Sequence, residues 1–462
     1  MTHAIPAGLR EAAHAVQAGA LTSTQLVEHA LAQIERCRDL NTIAFVDAAR
    51  ALREAAELDL DARSGNLRGP LHGVPVTVKD LFNVRGMPMR AGTRAPLPRI
   101  TPEEAPAVEA LRNAGAVILA KTNLQEIALG LNGENPWTGD VKNPHDPARQ
   151  SGGSSSGSAA SLGAGIAFGS LGSDTAGSIR LPASFCGVVG FKPSWGRVSL
   201  DGALPLIPSM DHAGPLARSV ADVAMLFGVL TATPSLLPTP NPSPEGRGET
   251  VAWEGLREGI SKPTLGIPRT YLEGALTAEV QSAFHVFVQH LKKRGAKIID
   301  IELDVANAAD AFLPLRADSV IVHRAALETN PDAFAPYVRD TLLRGYEFKA
   351  VDYLAARQQQ RQMRESIHRS LAGVDALLLP ASPCVAPLRG ETEVELESGR
   401  HNVRLAILKL CAPFSFAGVP ALSLPFAQIA GLPVNAQVIT PFGEDARTLQ
   451  IGQWVEKANT PR

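Results

Sequence analysis

Four cysteines in 462 residues leave no disulfide framework to read. Cys37, Cys186, Cys384 and Cys411 lie far apart, and none makes the C-x-x-C spacing of a zinc or redox site. A reducing cytoplasm is the expected compartment. An excess of charge of one sign is missing too. Lys and Arg number 44 against 46 Asp and Glu, a net charge of −2, so no basic field is available to hold a nucleic-acid backbone. Segments fit for a membrane are equally absent. Met1 to Gly19 lacks the basic and apolar regions of a secretory leader. Ser151 to Ser173 is uncharged, but 15 of its 23 residues are Gly or Ser, too polar for lipid. Leu410 to Gly443 is uncharged as well, yet Pro413, Pro420, Pro425, Pro433 and Pro441 break any spanning helix. A soluble chain without nucleic-acid or membrane partners is expected.

What is present is a large globular composition, 45% hydrophobic and 19% charged. Thr22-Ser23-Thr24-Gln25 reads as a capping box, followed by a helix with Leu26, Ala30, Leu31 and Ile34 on one face. Val74 to Lys79 is short and β-branched, which predicts a strand ending at Lys79. Glu103 to Asn113 predicts a helix, Gly115 its cap, and Ala116 to Ala120 a buried strand. The same rhythm recurs at Thr277 to Arg294 and Lys297 to Leu303, with further strands at Asp375 to Leu379 and Ala421 to Leu424. Alternating helices and apolar strands indicate an α/β fold whose sheet is covered on both faces. Pro234 to Gly248 is Pro-rich and without aromatics, and so is expected to be a flexible surface loop.

The chemistry concentrates between Leu71 and Ser199. In Asp174-Thr-Ala-Gly-Ser178 the small residues let successive N–H groups converge on one point, as an oxyanion hole requires. Ser178 is therefore a candidate nucleophile. It needs a base, and His72, His145 and His212 lie in separate segments with no patterned partners. A neutral lysine buried at the inner end of a strand can serve instead, and Lys79 occupies such a position. Ser154, in the loop Gly152-Gly-Ser-Ser-Ser-Gly-Ser158, can stand between the two as a proton relay. Three other readings compete. Gly153 to Gly157 matches G-x-S-x-G, which would make Ser155 the nucleophile, but the preceding Asn143 to Arg149 is turn-rich coil rather than the required strand. A phosphate loop would need G-K-[ST], and the S-x-x-K pattern occurs nowhere in the chain.

Together the segments resemble the amidase signature family. The match runs through LHGVPVTVKD around Lys79, AKTNLQE at Ala120, KNPHDPARQSGGSSSGSAA at Lys142 and LGSDTAGSIRLPASFCGVVGFKPSWGRVS at Leu171. It continues in SMDHAGPLARSVAD at Ser209, and in weaker echoes at Asp375, Phe416 and Gly431. The resemblance implies one α/β/α unit: a large, mostly parallel mixed sheet flanked by helices. Its parts would be N-terminal helices over about 1–66, the signature core over 67–230, the Pro-rich loop over 232–250 and a C-terminal half over 251–462. It implies a Ser–cis-Ser–Lys triad of Ser178, Ser154 and Lys79, with Gly153–Ser154 cis. Backbone N–H groups of Thr175, Ala176, Gly177 and Ser178 would hold the oxyanion, with Gly153, Ser155, Asp174 and Arg180 in support. Leu131, Asn132, Ile207, Met210 and Asp211 would shape the substrate pocket, within segments near Leu131 to Trp137, Ile207 to His212 and Leu313 to Tyr346. Departures from the family pattern are Ala176 before Gly177, Ser156 in the serine loop, and Asn435 where glycine is usual.

Function then follows as an expectation: hydrolysis, through a serine acyl-enzyme, of a non-peptide linear C–N bond (amide, carbamate or urea-type) of a small molecule. The alternatives are the A subunit of a glutamyl-tRNA amidotransferase, which hydrolyses glutamine and passes ammonia to partner subunits, and a non-catalytic binding protein. Homodimers are common in the family. No metal or organic cofactor is implied. Activity of the folded protein is accordingly expected to survive exhaustive chelation with EDTA; its loss while the circular-dichroism spectrum persists would refute this.

Overall fold

In the computed structural model, which describes residues 4–98, 100, 102–232, 260–305 and 308–460, eleven strands form one sheet. In chain order the strands are β1 (Ile43–Val46), β2 (Pro75–Lys79), β3 (Val117–Thr122), β4 (Gly169–Asp174), β5 (Val189–Lys192) and β6 (His212–Ala217). Then come β7 (Thr264–Ile267), β8 (Lys297–Asp300), β9 (Ala376–Pro380), the small separate hairpin β10 (Glu393–Leu396) and β11 (Gly399–Asn402), β12 (Ala421–Ile429) and β13 (Leu432–Ile439). The order across the large sheet is β1-β3-β2-β4-β6-β5-β12-β13-β9-β7-β8. The parallel character expected of it resides in two runs, β3-β2-β4 and β9-β7-β8, and gives way to antiparallel pairing from β4 through β13 to β9. Strands from before and after the Pro-rich stretch meet at β5 and β12. That stretch, Pro234 to Gly248, lies outside the described residues.

Local rules account for most element ends. The capping box forms: Gln25 N donates to Thr22 Oγ1 at 3.1 Å and Thr22 N to Gln25 Oε1 at 2.9 Å. The helix Ser23–Arg36 buries Leu26, Ala30 and Ile34, while Leu31 stays half-exposed. The helix expected from Glu103 begins instead at Pro106, which fits the first turn because its missing N–H would be unpaired there. Glu104, left outside, accepts from Arg112 at 2.8 Å. Gly115 ends that helix at φ +90°, and a Cβ there would lie 2.7 Å from His72 Cα, so no other residue fits. β3 outruns its apolar residues because Lys121 and Thr122 are paired inside, to Asp80 and Ser158. β8 is shorter than expected, ending at Asp300 on the half-exposed sheet edge.

Two short helices carry the site. Ser156–Gly163 and Arg180–Cys186 pack against each other, and every described side chain from Ser156 to Leu162 and from Arg180 to Cys186 is buried. Small residues permit this approach. A Cβ on Gly157 would sit 2.4 Å from the Thr42 carbonyl oxygen and 2.5 Å from that of Asn123. Helices Val220–Thr231, Ala278–Lys293 and Asp445–Asn459 also pack on the sheet, whose strands β2, β3, β4, β5, β6, β9 and β13 are buried along their whole length.

Candidate active site

Lys79 ends β2, beside the end of its parallel neighbour β4, where Thr77 faces Ser170 and Val78 faces Leu171. Its side chain is fully buried. Nζ lies 2.8 Å from Ser154 Oγ, 2.9 Å from Ser155 Oγ and 2.8 Å from Ser173 Oγ. Among the described residues no carboxylate pairs with it. Burial therefore dominates and lowers its pKa from 10.5 to about 7, against the weaker raising fields of Asp174 and Asp211. Lys121, on the adjacent strand, is also buried but has Asp80 Oδ1 at 2.6 Å. The two lysines thus divide into a paired cation and an amine ringed by hydroxyls.

Gly153–Ser154 is cis, as the family resemblance implied. A Cβ on Gly153 would lie 2.6 Å from Gln125 Oε1 and 3.1 Å from the Leu131 carbonyl carbon, so the loop holding Ser154 is packed tightly at this glycine. Ser155 precedes the helix Ser156–Gly163 and follows coil, not a strand. Its hydroxyl is sealed inside and donates to the Ser173 carbonyl at 3.0 Å, which removes the nucleophile-elbow arrangement. Ser173 escapes the sequence reading. The parity of β4 puts its side chain on the face opposite Asp174, and only the pairing with β2 shows that Lys79 lies there.

Ser178 is 4% exposed and lines a cavity of about 560 Å3, mouth included. Among the described residues no hydrogen bond joins its hydroxyl to Ser154, so the Lys79–Ser154 contact is made while the outer contact stays open. The N–H groups of Thr175, Ala176 and Ser178 form no backbone bond among those residues. Gly177 departs from the expected set. Its N–H donates to Asp174 Oδ1 at 2.7 Å, so the carboxylate claims the donor expected to face an oxyanion. Gly177 itself has φ +128°, and a Cβ would lie 2.9 Å from Cys411 Cβ.

Asp174 organises this loop. It also accepts from Ile179 N at 3.1 Å and from Ser415 Oγ at 3.0 Å, and takes Arg180 on both oxygens at 3.0 and 3.1 Å. Burial would raise its pKa, but Arg180 holds the carboxyl well below the usual range. Arg180, fully buried, reaches on to Gln437 Oε1 at 2.8 Å and Ser415 Oγ at 2.6 Å. The three histidines are structural. His72 Nε2 contacts the Leu58 carbonyl, His145 Nε2 that of Cys186 and His212 Nδ1 that of Asp174.

Of the expected pocket residues, Leu131 and Ile207 line the cavity. Asn132, Met210 and Asp211 do not. Asn132 is bound by Gln125 Nε2 at 2.5 Å, and Met210 is wholly buried. Asp211 accepts from Thr175 Oγ1 at 2.6 Å and from Leu206 N and Ile207 N at 2.8 and 3.0 Å, so it fixes the loop rather than a substrate. The remaining wall includes Ala128, Leu129, Leu206, Phe312, Arg316, Leu342, Arg404 and Leu408. Ile127 and Ala128 hold φ of +43° and +62° at its edge, a conformation costly for a β-branched residue. Neither Ser156 nor Asn435 lines the cavity. Asn435 Nδ2 fills the space of the usual glycine by donating to the Val188 carbonyl and to Ser423 Oγ.

Three outcomes follow. If neutral Lys79 is the base, kcat/KM rises tenfold per pH unit below about 7 and levels above it; a profile flat from pH 5 to 9 would refute this. The sign for stability is the same. Between about 7 and 10.5 the unfolded chain binds more protons at this group, so its contribution to stability grows with pH there. Arg180→Met, which strands buried Asp174, should lower unfolding stability by about 3–5 kcal/mol in denaturant titration.

A family model described as Amidase matches residues 25–449. A solved structure described as an amidase superposes with a TM-score of 0.91 at 46% identity, covering 98% of this chain and 100% of that one. The native peptide amidase from Stenotrophomonas maltophilia gives 0.82 at 28%, covering 98% and 97%. The A subunit of the glutamyl-tRNA(Gln) amidotransferase from Ralstonia nicotianae is 33% identical over 475 residues, 95% of this chain and 94% of that protein. On this cavity, this sheet and these full-length similarities, the chain belongs to the amidase family, hydrolases acting on amide C–N bonds.

Proposed function

We propose that this protein cleaves a linear amide, or a related carbamate or urea-type C–N bond, in a small molecule through an acyl-enzyme on Ser178. Ser178 Oγ attacks the carbonyl carbon and its proton passes through Ser154 to neutral Lys79. The N–H groups of Thr175, Ala176 and Ser178 stabilise the oxyanion. As the intermediate collapses, the C–N bond breaks and the proton returns through Ser154 to the leaving nitrogen. Water, activated along the same path, then releases the acid and restores Ser178. One observation carries the reading: a fully buried lysine amine, free of any carboxylate among the described residues, 2.8 Å from Ser154 Oγ. Ser155 and Ser173 hold that amine in place, and Asp174 with Arg180 fixes the nucleophile's loop.

The similarity to the A subunits of amidotransferases favours a second reading, glutamine hydrolysis feeding ammonia to partner subunits. The expected result is amidase turnover by the chain alone. Glutaminase activity appearing only with such partners would select the second reading.

Labelling with a fluorophosphonate tests the nucleophile without a known substrate. Trypsin leaves Gln150 to Arg180 as one peptide, whose fragment ions separate Ser154, Ser155 and Ser178. The adduct is expected on Ser178 and should be lost in Lys79→Ala. Ser178→Ala should lower kcat by about 10^4-fold or more. An adduct on Ser155, or a folded protein inert to every acylating probe, would overturn the reading.

A further inference from the structure

We infer that Arg316 and Arg404 form an anion subsite that selects amide substrates carrying a carboxylate on an apolar body. This rests on Ser178 being the nucleophile of the same cavity. Arg316 ends the short 3-10 helix Leu313–Arg316, and Arg404 stands in the first turn of the helix Val403–Phe416. Both line the cavity with Ser178, in a wall otherwise mostly apolar.

Neither guanidinium has an anion to pair with among the described residues. Arg316 lies over the Phe312 ring and Arg404 over that of Tyr337. Arg404 Nε is buried without a hydrogen-bond partner. Asp318, two residues from Arg316, is engaged elsewhere, by Ser209 Oγ and Tyr353 and in the field of Arg357. Burial, then a neighbouring like charge, lowers both pKa values: Arg344 acts on Arg316, and Arg316 on Arg404, which falls to about 10. Both remain cations at neutral pH.

Uncompensated charge is expensive to bury. Two fully buried cations near the site take carboxylates: Arg180 takes Asp174 and Lys121 takes Asp80. Arg316 and Arg404, half-buried, have no such partner among the described residues, and they line a cavity where a ligand can supply the missing anion. A planar carboxylate suits the guanidinium fork. Leu131, Ile207, Phe312 and Leu408 then cover the hydrocarbon between it and the amide.

Matched substrates test this. Suberyl p-nitroanilide is set against octanoyl p-nitroanilide, and N-hexanoyl-4-aminobenzoate against N-hexanoylaniline, so the charge lies on the acyl or the amine side. The charged member of at least one pair should be preferred about tenfold or more in kcat/KM. Arg316→Met and Arg404→Met should each reduce that preference about tenfold, mainly through KM, with partial rescue by lysine. Equal use of charged and neutral members, or a preference unchanged in both variants, overturns the subsite while leaving amide hydrolysis standing. A readout free of turnover separates the two claims. Octanoate should bind the wild-type protein by calorimetry more tightly than octanamide, and about tenfold more weakly to each variant. No difference between octanoate and octanamide overturns the subsite. Tight octanoate binding with no cleavage of any amide and no fluorophosphonate adduct supports the subsite and overturns the acyl-transfer reading instead.

Discussion

A lysine amine held out of water without a counter-charge is the constraint on which the rest of the site depends. At the surface Lys79 would stay protonated and could take no proton from a serine. Inside, with three hydroxyls around Nζ and no described carboxylate paired with it, the neutral amine becomes accessible near pH 7. The surroundings follow from that need. Small residues at Gly153 and Gly157 let a serine loop and a helix close over the strand end, and the nearby carboxylates of Asp80 and Asp174 are each paired with a cation of their own.

Asp174 shows the opposite use of burial. Its carboxylate is kept ionised by Arg180 and spends its lone pairs on the loop that presents Ser178. One donor expected for the oxyanion, Gly177 N–H, is consumed in this way. The loop is thereby fixed from beneath, leaving Thr175, Ala176 and Ser178 with N–H groups that no described backbone carbonyl takes up. Rigid donors of this kind cost little reorganisation when charge develops.

Much of this is legible in the sequence, and the misses have common causes. Local signals carry far: the capping box at Thr22, the strand ending at Lys79 and the glycine cap at 115 all lie where short-range chemistry puts them. The ordered motifs of the family supply Lys79, Ser154 and Ser178 together, which no spacing alone would join. The β12–β13 hairpin shows in the sequence only as Ala421 to Leu424, because Pro425 and Pro433 argue against central strands. Pro425 is accommodated beside a register shift, and Ala430-Gly431 turns the chain with positive φ at both residues. The segment Leu313 to Tyr346 does supply part of the cavity wall, but Ser173, like Phe312 and Leu408 in that wall, depends on contacts between distant segments, which local periodicity does not encode. Asp211 misleads for the same reason: a buried carboxylate near the site reads as a ligand group until its three donors are seen.

The strand order also governs when the protein can become active. Arg180, which secures the loop of Ser178, is itself held by Ser415 and Gln437, 235 and 257 residues later. β12 and β13 fill the sheet between β5 and β9. A nascent chain therefore carries Ser178, Ser154 and Lys79 long before it has the segment that locks them. Such distant pairings form slowly, and the ribosome delivers the clamp near the end of the job. On the proposed mechanism an unfinished chain is thus a silent one, and the same late seam is where a kinetically trapped chain would first expose its open sheet.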